Sequence, residues 1–185
     1  LVFDGVAEIW VDDKDALRAM AATAQFAAAK ADEPNFIDTD ALIELVADEH
    51  VIKDGPEPSD GIASFGFVRF RPDLEPAEAQ RYWREVHGPI AVGIEPLRRY
   101  VQSHVRLGAY GPGRRPAWDG LATTWFDSID DMRRSATTDA CQATLADAAF
   151  VTPAAGKAGE AIAWSRLAVG LKDVQPLAQR VALGT

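Results

Sequence analysis

The sequence predicts an α+β fold made of tandem β-α-β-β-α-β units, the first of them incomplete. Three observations carry that prediction. Residues 4–18 and 119–133 share seven of fifteen positions, namely Asp, Gly, Ala, Trp, Asp, Asp and Arg, and self-similarity at a fixed offset marks repeated structural units. Runs rich in Val, Ile, Phe and Trp alternate with alanine-rich stretches of helical period. Gly and Pro cluster at 53–61 and 111–116, where they punctuate the runs.

The elements follow in order. Residues 1–11 have the composition of a strand. Asp12 is placed as the N-cap of a helix over 13–31, with Asp15 near its positive end and Leu17, Met20 and Ala24 on one face. A short helix near 40–45 leads into a strand over 48–52, and 53–61 reads as a loop between units. A strand over 62–70 follows. Pro76 suits the first position of a helix that runs to 86 and is stopped by Gly88-Pro89. Residues 97–107 form the next strand, 111–116 an exposed turn, 118–126 a strand, 129–146 a helix with Asp127 as N-cap, and 161–169 a last strand.

From residue 62 this is the split βαβ order of ferredoxin-like domains. The first copy of the repeat lacks the strand, helix and strand that precede the second, so the chain is expected to open in mid-unit. The predicted division is 1–55 for the C-terminal half of a first ferredoxin-like unit, 56–61 for a linker, 62–170 for a complete second unit and 171–185 for a tail. These strands do not alternate cleanly between apolar and polar residues, so both sheet faces need covering. Packing sheet on sheet, within the chain or between chains, meets that need and leaves a cavity.

The 185 residues are 48% hydrophobic, enough for a core, and carry a net charge of −9. The charge is lopsided: residues 1–60 hold 15 acids and 4 bases, the remainder 13 acids and 15 bases. No basic stripe of the kind that binds nucleic acid occurs. No apolar run approaches the ~20 residues that span a bilayer, so no membrane partner is expected. A single cysteine, Cys141, suits a reducing, cytoplasmic setting and reads as a packing residue.

Three histidines, His50, His87 and His104, are the residues with chemistry near neutral pH. On a strand of period two, Tyr100, Gln102 and His104 share one face and Val101, Val105 and Leu107 the other. The apolar set is expected to meet the helices and the polar set to face the cavity, with His104 as the proton-transfer group. His87 is expected at a helix C-terminus, where the dipole favours a charged imidazole. His50 follows Asp48-Glu49, whose carboxylates would favour its charged form. Trp10, Trp83, Trp125 and Trp164 are candidates for an apolar wall, although tryptophan at sheet spacing is more often core. The histidines lack metal-ligand spacing, no Cys cluster occurs, and neither a phosphate loop nor a G-x-S-x-G elbow is present, so no metal or other cofactor is expected.

At Tyr82-Trp83-Arg84-Glu85-Val86-His87-Gly88-Pro89-Ile90 and Leu97-Arg98-Arg99-Tyr100-Val101-Gln102-Ser103-His104, the chain resembles the EthD-domain family. The stretches Trp118-Asp119-Gly120 and Ala47-Asp48-Glu49-His50-Val51 carry the same resemblance. It implies a dimeric α+β barrel, here as a tandem pseudo-dimer, with His87, His104 and His50 as motif positions. The copy of the tyrosine–tryptophan–histidine string that a first unit would hold is not in the chain. The resemblance further implies a cofactor-independent enzyme acting on a small aromatic or cyclic carbonyl compound, of cyclase, isomerase or decarboxylase type. Tyr100, Gln102, Trp83, Trp125 and Trp164 would line or orient that substrate, and a homodimer is allowed. The alternatives are a cofactor-free monooxygenase in a degradation pathway, a non-catalytic carrier of an apolar ligand, and a structural subunit.

Overall fold

A computed structural model describes residues 4–151 and 167–170. The chain divides into two compact units, residues 5–44 and a larger one that holds Asp4 and the described residues from Leu45 onward.

The smaller unit is helical. Helix α1 (Lys14–Ala21) is capped by Asp13, whose carboxylate accepts the Asp15 and Ala16 N–H groups, and not by Asp12. Helix α2 (Ala24–Asp32) begins anew at Thr23, so the expected single helix is broken. The Thr23 hydroxyl donates to the Met20 carbonyl at 2.8 Å and accepts the Phe26 N–H at 3.1 Å, which turns the chain without Gly or Pro. Residues 5–11 are no strand, and Ile9 and Trp10 stand 64% and 67% exposed. Strand propensity is expressed only against a neighbouring strand, and the elements of this unit are helices. The helix expected near 40–45 is a turn closed by the Ala41 N–H on the Asp38 carbonyl.

The larger unit holds one antiparallel sheet. Its strands are β1 (Ala47–Lys53), β2 (Ile62–Val68), β3 (Arg99–Val105), β4 (Gly120–Phe126) and β5 (Leu167–Gly170), in the order β1-β3-β4-β2-β5. From β2 onward the chain runs strand, helix, strand, strand, helix, strand, the ferredoxin-like arrangement of an α+β fold. Of the last expected strand, 161–166 lie outside the described residues.

Helix α3 (Pro76–Tyr82) begins with proline as expected, but Gly88-Pro89 does not end it. The backbone widens into a π-turn over Trp83–His87, in which the Gly88 N–H reaches the Trp83 carbonyl, and continues as α4 (Gly88–Val92). A proline inside a helix lacks an N–H and clashes with the carbonyl four residues back; here the five-residue turn precedes it. Helices α5 (Ile129–Ser135) and α6 (Asp139–Val151) complete the unit. The cap of α5 is Ser128, because Asp127 is engaged by the Arg98 guanidinium at 2.7 Å.

The break between α5 and α6 repeats that between α1 and α2 at an offset of 115. Thr138 donates to the Ser135 carbonyl at 2.8 Å and accepts the Cys141 N–H at 3.1 Å. The Asp130–Arg133 pair stands where Asp15–Arg18 stands. The likeness of the two stretches therefore extends from letters to hydrogen bonds.

The core joins helices α3, α4 and α6 to one sheet face through Trp83, Phe70, Ala79, Leu97, Tyr100 and Phe126. Burial of such apolar surface contributes roughly 25 cal/mol per Å². Among the described residues, no helix is long and apolar enough to cross a membrane.

Candidate functional site

Tyr100, Gln102 and His104 share one face of β3, as the period of two requires, but that face meets the helices and not an open cavity. All three are buried, Gln102 fully and His104 with 3% exposure. The expected division into an apolar helix side and a polar cavity side is therefore reversed. Hydrogen bonding explains it, since a buried polar group is tolerated when its partners are supplied.

Those partners form a closed set. The Gln102 Nε2 donates to the Trp83 carbonyl at 3.0 Å and to the Tyr100 hydroxyl oxygen at 2.9 Å. The Trp83 Nε1–H donates to the same hydroxyl at 3.2 Å. A carbonyl can only accept, so the Gln102 amide nitrogen must face Trp83 and its Oε1 must face His104, 2.9 Å from Nε2. His104 therefore carries its proton on Nε2 and its lone pair on Nδ1. Its ring lies flat against the Trp83 indole, centroids 4.6 Å apart and 6° from parallel.

Strand β1 brings His50 opposite Gln102 and Asp48 opposite His104. The His50 ring meets His104 edge-on, centroids 4.5 Å apart. Burial pushes the His104 imidazole down to about 3, with His50 and Arg84 adding to the effect and Asp48 opposing it. His50 is lowered as well, by burial first and by Arg84 second. The expectation that carboxylates would charge His50 is thus overturned: desolvation and a guanidinium outweigh Asp48. Burial thus sets His104 against holding a proton near neutrality. Burial likewise pushes the Tyr100 hydroxyl up to about 12.

His87 is not at a helix end. It closes the π-turn in mid-helix, 5% exposed, with Nδ1 2.9 Å from Asp147 Oδ2. Burial lowers its affinity for a proton and Asp147 works against that. The Tyr82 hydroxyl donates to the other Asp147 oxygen at 2.6 Å.

Trp83 joins the histidine pair, whereas Trp125, paired with Arg99 and Ala63, falls on the opposite sheet face beneath the Arg99 guanidinium. Trp164 lies outside the described residues. Arg84 and Asp147 were not legible as site residues. Arg84 lay within the quoted string without a role, and Asp147 carried one faint signal, an isolated acid in an apolar helical run. Among the described residues, no group of three or more His, Cys, Asp or Glu side chains is placed to hold a metal ion.

A sequence profile of the EthD domain matches residues 1–40 and 71–151, more than half of the chain. No curated protein matches it. Among solved structures, it is similar to an ethyl tert-butyl ether d (EthD) family protein of Bacillus halodurans C-125, at 15% identity and a TM-score of 0.39. That likeness covers 48% of this chain and 83% of the other. A dimeric protein of unknown function and ferredoxin-like fold from Bacteroides fragilis NCTC 9343 gives 16% identity and a TM-score of 0.40, covering 60% and 93%. The strand order, and not these neighbours, carries the fold.

Proposed function

The chain belongs to the EthD-domain family, and from that premise we propose that it is a cofactor-independent acid/base catalyst acting on a small aromatic or cyclic carbonyl compound. The observation that carries this reading is the edge-on pair of neutral imidazoles, His50 and His104, under the influence of the Arg84 charge. His50, the less buried of the two, takes the proton. The bond from hydrogen to the carbon beside the carbonyl breaks, its electron pair moves to the carbonyl oxygen, and the proton passes to a His50 nitrogen. The Arg84 charge, half-exposed and paired with Glu85 at 2.8 Å, acts on the developing enolate from the rim of the pair. His104, fixed by Gln102 and stacked on Trp83, supports the His50 ring from behind.

The test is exchange of the protons next to the carbonyl of 2-tetralone in D2O, followed by NMR. A positioned base contributes about 10²–10⁴-fold, so His50→Ala should lose that much. Equal exchange by the two proteins defeats the proposal. Oxygen consumption coupled to exchange would point to the cofactor-free oxidation variant.

A second reading, non-catalytic binding of an apolar ligand, draws on the burial of His104, whose Nε2 is held by Gln102. It expects 2-tetralone to stabilise both proteins, by about 2.7 kcal/mol at 100 times its Kd, with no exchange in either.

A further inference from the structure

Besides the His50–His104 pair, the described residues hold another imidazole, His87, with a carboxylate partner. Asp147 on α6 divides its oxygens between two donors, Oδ1 to the Tyr82 hydroxyl at 2.6 Å and Oδ2 to His87 Nδ1 at 2.9 Å. An ionised carboxylate only accepts, so the His87 proton sits on Nδ1 and the lone pair of the neutral ring on Nε2. Among the described residues no hydrogen bond reaches Nε2. A base, held in one tautomer by an orienting carboxylate, is the geometry by which an imidazole accepts protons. Gly88, the next residue, lies against Gln102 and Ile52, so both imidazole centres hang on one π-turn.

We propose that Asp147 is the positioning residue of a second proton-accepting centre, in which His87 offers Nε2 to an uncharged hydroxyl of a bound phenol or enol. The inference rests on the acid/base reading above for the class of ligand and on the geometry for the rest. With His87 only 5% exposed, a cationic donor would pay heavily in desolvation, whereas a hydroxyl would not. In the transfer, the ligand O–H bond breaks and an N–H bond forms at Nε2. The electron pair stays on the ligand oxygen, and the imidazolium charge is balanced by Asp147.

The experiment uses the full chain with ¹⁵N-labelled histidine and 2-naphthol as probe. The wild type should show His87 protonated on Nδ1 and bare on Nε2, and 2-naphthol should shift the Nε2 resonance. In Asp147→Asn, Tyr82 holds the amide oxygen, the amide nitrogen faces Nδ1, and the proton should move to Nε2 with loss of the 2-naphthol response. A wild-type His87 already protonated on Nε2, or one indifferent to 2-naphthol, overturns the proposal, and both measurements need no variant. Shifts confined to His50 and His104 overturn it while leaving the first site standing. An Asp147→Asn protein that folds and keeps the wild-type tautomer overturns it as well.

Discussion

Replacing Gln102 by Leu removes three hydrogen bonds from a fully buried side chain, yet the cost should be far below three times the value of one. The Trp83 carbonyl keeps the Gly88 N–H, and the Tyr100 hydroxyl keeps the Trp83 Nε1–H at 3.2 Å. Only the His104 Nε2–H is left without a partner. An orphaned buried donor costs about 1–3 kcal/mol, and the apolar side chain returns part of that through burial. A net loss of about 1–2 kcal/mol is expected, read as a lower urea midpoint at unchanged slope. The His104 proton, no longer held at Nε2, should redistribute towards Nδ1, which ¹⁵N NMR of the imidazole reports. A loss above about 4 kcal/mol would mean that the three bonds act as separate supports. An unchanged His104 tautomer would mean that Gln102 does not set it. Either result refutes the reasoning.

Two further outcomes are expected. Gly120→Ala would set a Cβ 2.6 Å from Trp83 Cζ3 and 2.7 Å from the Ser103 carbonyl; since a strand backbone cannot withdraw, a loss of about 2–3 kcal/mol should appear in urea unfolding. His104 has a folded pKa of about 3 against about 6.5 when unfolded, so below the latter the unfolded chain binds the extra proton. Stability should therefore be intact above pH ~6.5 and fall as pH drops towards 3. His104→Phe should flatten that dependence by up to ~1.4 kcal/mol per pH unit, and an identical pH profile for the two proteins would show that His104 is not buried neutral.

The order of elements along the chain was legible because β2 and β4 are largely apolar runs, β3 alternates two residue sets at a period of two, Gly and Pro bound them, and Pro76 marks its helix start unambiguously. The sheet face was not. Periodicity sorts Tyr100, Gln102 and His104 from Val101 and Val105, but which set meets the helices depends on where hydrogen-bond partners lie, and the deciding partner is a backbone carbonyl at Trp83. Gly88-Pro89 misled for a related reason: the dipeptide ends an α-helix, and nothing in its letters announces a five-residue turn. The helix breaks at Thr23 and Thr138 were hidden because threonine is tolerated inside helices as well as at their caps. Asp147 lies 60 residues from His87, beyond any local pattern.

The π-turn also makes one peptide oxygen an arbiter. The Trp83 carbonyl receives the Gly88 N–H from its own helix and the Gln102 amide from the sheet. Because it receives, the amide has one admissible orientation, and because the amide has one orientation, His104 has one tautomer. A deletion of a single residue within 83–87 that restored regular α-helix would redirect this oxygen and, two bonds further on, relocate a proton on an imidazole in another strand. The length of a helical turn and the protonation pattern of a sheet are thus one inherited choice, so insertions and deletions here should be filtered by chemistry as much as by packing.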